Sequence, residues 1–550
     1  MKLHGAEADV RTSIQARRKA APTAKAPAGD PEPSNAHRSR PVPGTEGPGA
    51  TTDGSLAPPT TTSRLGVLRH KDFRRVWAAS FVSNSGNWME MVGIQMIVAK
   101  ETGSLKMLGY FAAAGLMPIL LLGVFGGLLA DRVNRRTLLV VTQAMLMVLA
   151  GLVAVVSIVD MSWLRFGPLD HLGSSAGLVI ALFIISILQG TVAAFNIPAW
   201  QVLTPRLVPK EELTRAIMLN GIQFNASRVL GPALAGAILA AWGVTPLFTI
   251  NAATFVGVVL AVSRTPDSPA PARSEADTTA WHEIREAIAF IFLGKGPRCV
   301  FIAMVLMSLL ASPLMRMLPL YVIDVYGLAG SAADGATATL ISVLGIGAVL
   351  GGLALKYVPA WYPKHHFIPM ALAGAGVSIT LFAFSTSLWS GYLAMFIVGL
   401  FWIWGFNPAW AAMQHLVTDG MRGRVLAVAN VASFGAMGVG NIAAGWLGEG
   451  VEGLLRTGNL GDSAAESAKS LGTHAAVGFF SAALAGAGIV MMIWRVPEVD
   501  GLKPRDSGYA HRRNLWDAIT ARSHRPRQPE PRSISMADEP SRDTTADVTE

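Results

Sequence analysis

Between residues 76 and 494 the chain alternates long apolar runs with short polar breaks. The runs are about 20 residues long, the length at which a helix crosses roughly 30 Å of hydrocarbon. They fall at 76–99, 107–130, 137–159, 176–200, 213–241 and 244–262 and, after a gap, at 298–323, 336–356, 367–386, 389–413, 425–448 and 474–494. Strands of a membrane barrel would alternate apolar and polar positions over about 10 residues, and these runs do not. Gly, Ala and Pro are frequent inside them, which suits helices that pack by close backbone approach in lipid. The pattern predicts an all-α membrane protein with twelve transmembrane helices in two six-helix bundles.

The polar stretches divide the chain. Residues 1–70 and 497–550 mix Pro, Gly, Ser, Thr and both charge signs with no apolar period. Such segments cannot bury enough surface to offset chain entropy, so disordered tails are expected around an N-terminal bundle (71–263) and a C-terminal bundle (297–496). No short apolar run follows the basic residues near the start, so that tail does not read as a signal peptide. The linker, 264–296, opens Pro- and Ala-rich and then places Trp281, Ile284, Ile288 and Ile291 on one helical face. An amphipathic helix lying on the cytoplasmic surface is the expectation.

Composition supports the membrane reading. Charged residues are 15% and apolar ones 51% of the chain, before its 56 glycines are counted; soluble domains carry about 25% charge. One cysteine excludes an internal disulfide framework and any Cys-x-x-Cys metal site. The net charge of +9 takes its meaning from where the cations sit. One set of loops holds Arg132, Arg135, Arg136, Arg206, Lys210, Arg215, Lys356, Lys364, Arg422 and Arg424, while the other holds Lys100, Lys106, Arg165, Arg456 and Lys469. Basic loops stay inside, so both tails are expected in the cytoplasm, and no nucleic-acid partner is needed to explain the charge. No GxxxxGK[ST] loop is present for an ATP-driven pump, nor an HExxH motif. Neither an enzyme nor a cofactor is expected, and no metal site.

Two short patterns repeat across the gap. Phe195-Asn196-Ile197-Pro198-Ala199-Trp200 ends the fourth run and Phe406-Asn407-Pro408-Ala409-Trp410 ends the tenth, and an asparagine follows each tryptophan by twenty residues, at Asn220 and Asn430. Duplicated bundles related by an axis along the membrane normal place a ligand cavity at their interface. The loop after the second run reads Gly126-Gly127-Leu128-Leu129-Ala130-Asp131-Arg132-Val133-Asn134-Arg135-Arg136. Its glycines permit close helix approach. Asp131, Arg132, Arg135 and Arg136 can clasp a neighbouring helix end in one conformation and release it in another.

That loop, with Gly127 and Asp131, resembles the signature between the second and third spans of the major facilitator superfamily, and Gly351-Gly352-Leu353-Ala354-Leu355-Lys356 resembles a decayed second copy. Phe73-Arg74-Arg75 with Ser83 to Met89, Asn196 to Trp200 with Pro205 to Val208, and Gly231-Pro232-Ala233-Leu234-Ala235-Gly236 resemble the bacterial branch that includes the enterobactin exporter and the transmembrane secretion effectors. The resemblance covers roughly 70–495. It implies a multi-pass monomer of the bacterial cytoplasmic membrane that moves small amphipathic, drug- or siderophore-like molecules outward by alternating access, driven by the proton gradient. Two departures weaken the coupling part. Ser186 stands where drug–proton antiporters carry an arginine before Gln189-Gly190, and Ser227 replaces a glycine upstream of Gly231-Pro232.

Ionisable side chains inside the hydrocarbon cost at least about 2.5–3.5 kcal/mol at its centre, so they are candidates for function. Glu90 lies near mid-depth of the first run, within a turn or two of Asn84, Asn87 and Gln95. It reads either as a proton carrier or cation site, or as a carboxylate bonded structurally near the outer end. Arg228, beside Asn225 in the fifth run, reads as a counter-charge for Glu90 or an anionic substrate, or as a structural group bonding carbonyls or headgroups. Arg316, between Pro313 and Pro319, reads as a third proton or substrate candidate, or as a structural group satisfying carbonyls freed by the prolines. The partners expected are a small-molecule substrate, membrane lipid and the proton gradient. Uptake, lysophospholipid flipping and a non-transporting scaffold or sensor are the competing readings.

Overall fold

The computed structural model describes residues 64–164, 167–266, 280–358, 363–417, 419–456 and 462–493. Both predicted tails, apart from the turns next to the first helix, lie outside them. Twelve long helices fill the described residues: α1 (Lys71–Thr102), α2 (Leu105–Arg132), α3 (Arg135–Val156), α4 (Ala176–Leu207), α5 (Leu213–Trp242) and α6 (Thr245–Ser263), then, after the short α7 (Ala280–Leu293), α8 (Lys295–Asp324), α9 (Gly330–Ala354), α10 (Lys364–Ala383), α11 (Leu388–Leu416), α12 (Asp419–Leu455) and α13 (Asp462–Ile493). Each predicted run has its helix. Several helices outlast their runs: α1 starts at Lys71 and not 76, and α13 at Asp462 and not 474. Hydropathy marks only the greasy part of a helix, and these first turns are polar.

Local signals set the tight connections. Gly103 ends α1 with φ 56°, the left-handed conformation that glycine adopts without a Cβ penalty, so α2 begins two residues later. Ser104 caps α2 by accepting from the Met107 amide. The side chain of Asn134 accepts from the amides of Arg136 and Thr137 and opens α3. Ten of the helices are long and apolar enough to cross a membrane. The two that fall short are α1 and α5, which carry Asn84, Asn87, Glu90, Gln95 and Asn220, Gln223, Asn225, Arg228.

The repeat seen in sequence is a repeat of packing. In the first half α2 packs on α4, α3 on α6, and α1 on both α5 and α6; in the second, α9 packs on α11, α10 on α13, and α8 on both α12 and α13. Between halves the broad contacts are again a matched pair, α2 with α12 and α5 with α9. Glycine makes this spacing possible at equivalent places. A Cβ on Gly190 of α4 would collide with the Gly115 carbonyl of α2, and one on Gly399 of α11 with the Leu344 carbonyl of α9. The linker helix packs by a different stripe from the one expected. Ala287 and Ile291 are buried with Ile284 beside them, whereas Ile288 is 40% exposed. The α7 helix rests on α12 and α8, so its buried face is centred nearer Ala287 than the apolar spacing suggested; the Trp281 side chain lies outside the described residues.

Candidate functional site

Glu90 is 6% exposed, in the middle of α1, where α4 and α6 flank it. Its two carboxylate oxygens are both occupied. The side-chain amide of Gln189 on α4 donates to Oε1 at 2.6 Å and that of Asn251 on α6 donates to Oε2 at 2.5 Å. Asn251 is itself held, its backbone and side-chain oxygens both accepting from the Thr254 hydroxyl. A buried carboxylate is tolerable when its lone pairs find donors, and amide donors stabilise it without neutralising it as a cation would. Gln189 entered the sequence reading only as part of a motif, and Asn251 not at all. The signal for Asn251 was a single amide inside the apolar run LFTINAATF.

Two cavities follow α1 through the first half. The first, about 350 Å³, is lined by Asn87, Glu90, Met91, Ile94, Gln95, Val98, Phe111, Leu146, Ser186, Gln189, Phe255 and, from α8 of the second half, Arg316. The second, about 450 Å³, is lined by Phe73, Trp77, Asn84, Asn87, Gln143, Trp200, Thr204, Asn220, Gln223 and Phe255. They share Asn87, Leu146, Asn196 and Phe255. Several amides on their walls are unpartnered: Gln95 at both polar atoms, Gln143 at its oxygen and Gln223 at its nitrogen. Unsatisfied buried amides are costly, and here they belong to residues that line the cavities.

Glu90, Asn87, Gln95 and Arg316 therefore meet at one cavity. Arg228 and Asn225 line neither cavity. Asn225 donates to the Gly221 carbonyl of its own helix. Arg228, 6% exposed, lies between two indoles, 5.7 Å from the Trp88 ring centroid on α1 and 4.9 Å from that of Trp402 on α11, so it joins the halves by cation–π contact. In the loop motif, the side chains of Asp131 and Arg132 lie outside the described residues. Gly127 has open space where a Cβ would stand, Arg135 is buried, and Arg136 donates to the Ser263 carbonyl at the end of α6. A cation on a helix C-terminus is favourable both as a hydrogen bond and against the dipole.

The two ends of the bundle differ. Where α1 ends and α2 begins, Lys100 Nζ lies 2.6 Å from Asp334 Oδ2 on α9, and Lys106 Nζ lies 3.1 Å from Glu449 Oε2 on α12. Glu449 also accepts from the Ser104 hydroxyl and the Lys106 amide. Lys106 stands over the Trp446 ring at 4.4 Å. Asp324, at this end of α8, pairs with Lys469 at 3.1 Å within the second half. Both α1 and α2 also touch α8, while among the described residues α4 has no comparable contact with α11 or α12. The halves are thus stitched at the α1–α2 end, and the second cavity extends toward the end where α1 begins and α4 finishes.

A profile of the family described as transmembrane secretion effectors matches residues 62–507. The chain belongs to that family. Its relatives are major facilitator transporters. It is 25% identical to the staphyloferrin A transporter of Staphylococcus aureus, across 64% of this chain and 83% of the relative. It is 24% identical to the macrolide efflux protein A of Streptococcus pyogenes, across 56% and 72%, and 23% identical to the multidrug efflux pump Tap of Mycolicibacterium fortuitum, across 68% and 88%. The same fold is seen in the solved nucleoside transporter NupG, with a TM-score of 0.60 at 12% identity, covering 76% of this chain and 100% of that one. A bacterial homologue of the lysosomal transporter Spinster matches with a TM-score of 0.59 at 14% identity, covering 79% and 99%. This secretion effector is a multi-pass transporter whose fold suits alternating access.

Proposed function

We propose that the protein exports small amphipathic molecules from a bacterial cytoplasm, with Glu90 as the protonatable group of the transport cycle. The observation that carries this is a buried carboxylate on the wall of a cavity that the second half reaches with Arg316, in a bundle stitched across its halves at one end. Relatives named for macrolide efflux, multidrug efflux and staphyloferrin A transport support an amphipathic substrate class. The loops at the end where α1 begins are the basic ones, so that end is cytoplasmic and the stitched end is external. The cavity is then the inward-facing form of the cycle, and opening outward requires the Lys100 and Lys106 bridges to part. Both tails and the α7 linker lie on the cytoplasmic side of a monomeric carrier.

The test is flux in everted vesicles and in whole cells, with a panel of a macrolide, a polycarboxylate chelator, a cationic dye and a lysophospholipid, with and without a protonophore. Export predicts cell depletion of at least one panel member, and a proton-coupled cycle predicts its loss with the protonophore. Glu90→Gln keeps the size and the hydrogen-bonding reach but removes the titration, so coupled flux stops while the chain stays folded. Cell accumulation identifies an uptake carrier, and absence of flux across the panel returns the scaffold reading.

A further inference from the structure

The two charges on the wall of the first cavity are not paired with each other. Glu90 and Arg316 are the ionisable groups on its wall. Glu90 has both oxygens engaged by Gln189 and Asn251. Among the described residues Arg316 has neither a hydrogen bond nor an ion pair, so of its two readings the carbonyl-bonding one finds no bond, and the guanidinium borders the cavity. Gln95, 4% exposed, lies five residues beyond Glu90 on the same wall with both polar atoms unpartnered. A guanidinium keeps its charge and offers a planar fork of donors that fits a carboxylate. Leaving it without an anion in an apolar surround is costly.

We infer that the first cavity takes an amphipathic organic anion, its carboxylate on Arg316, its polar substituent on Gln95 and its apolar body against Met91, Ile94 and Phe111. This rests on the export reading and names the substrate class for that site. The volume of about 350 Å³ falls in the range of about 300–1,000 Å³ for small-molecule sites. The unpartnered Gln95 amide sets a demand that a purely apolar anion does not meet, so hydrogen-bonding substituents strengthen binding. With the cytoplasm electrically negative, outward passage of an anion is also downhill in the membrane potential.

The experiment is isothermal titration of the purified full-length chain in detergent with three probes sharing one ring system: 2-naphthoate, 2-naphthamide and 2-naphthylmethylammonium. The expected result is a carboxylate preference of about tenfold or more, the size of one charge-assisted bond in a desolvated site. Arg316→Gln should abolish the preference and Arg316→Lys retain part of it. No charge preference in the parent protein, or preference for the ammonium, overturns the inference, as does a folded Arg316→Gln protein that still prefers the carboxylate. If Arg316→Gln does not fold, the parent's ranking of the probes and the Arg316→Lys protein decide. Flux separates the two claims. Export of the cationic dye with exclusion of anions sinks this inference and leaves export standing, whereas carboxylate-selective binding without any flux does the reverse.

Discussion

Lys100 and Asp334 form the contact between halves whose loss is easiest to read. The lysine side chain is 39% exposed and the aspartate 9%. Removing one partner of a fully buried pair costs about 3–5 kcal/mol, while an exposed pair contributes about 0.2–1 kcal/mol. With one member in each setting, about 1–2 kcal/mol is the reasonable figure, a factor of about 5–30 in an equilibrium. The pair joins α1 to α9, so this energy favours only the arrangement in which the α1–α2 end is shut, and its removal shifts the population toward the open one. The single cysteine makes the shift measurable. Cys299 is buried and is replaced by serine, and Val98→Cys is introduced at a position 0% exposed on the cavity wall, two residues before Lys100. Reaction with an impermeant maleimide added to intact cells then reports opening to the outside. Lys100→Met or Asp334→Asn should speed labelling by about 5–30-fold, and the reversed pair Lys100→Asp with Asp334→Lys should slow it again. Labelling at the parental rate in both single variants refutes the argument. So does a folded reversed pair that labels as fast as the singles.

Two further outcomes follow from the packing. A Cβ on Gly86 would collide with the Asn251 side chain, so Gly86→Ala should pull that amide from Glu90 and lower coupled flux several-fold while leaving Glu90 chemically intact; unchanged flux at normal expression shows that the amide is dispensable. The two copies of the repeated motif should also respond unequally. Asn196 is buried, donating to Thr142 and accepting from Gln143, whereas Asn407 is exposed. Thermal melting in detergent should therefore fall for Asn196→Ala by the equivalent of about 1–3 kcal/mol and stay within about 0.5 kcal/mol for Asn407→Ala.

How much could be read from the chain follows from what each residue needs. The twelve runs were legible because helices in hydrocarbon are mostly apolar, α1 and α5 included despite their polar groups, and the helix ends were not, because polar first turns rise above the hydrocarbon. Glu90, Asn87, Gln95 and Arg316 were legible as charge or amide inside grease. Their relationships were not. Nothing local says that Gln189 and Asn251 converge on Glu90, since that depends on α1 lying between α4 and α6. Arg228 shows the limit from the other side: a charge in a span is a sound candidate, yet its answer here is two indoles on α1 and α11, neither adjacent in sequence. Lys100 and Lys106 read as ordinary loop charges, because their partners, Asp334 and Glu449, lie more than two hundred residues away.

The halves share packing without sharing chemistry, and membrane energetics explain why that is stable. Packing contacts between equivalent helices must survive in both halves for the two to pivot against each other, and the glycine contacts of Gly190 with Gly115 and of Gly399 with α9 are kept in both. Polar groups in the bilayer are each a cost, so a duplicated half sheds those it does not use. Accordingly α8 and α12 are apolar enough to cross a membrane, whereas their first-half equivalents α1 and α5 are not. The described cavities lie on α1 with its neighbours in the first half, and the second half reaches them through Arg316 alone. In the proposed cycle the first half holds the ligand, and the second covers it and supplies a single opposing charge. That charge moves with the second half as it pivots. In that cycle affinity falls as the halves separate around Arg316, so opening and release are coupled without any further moving part.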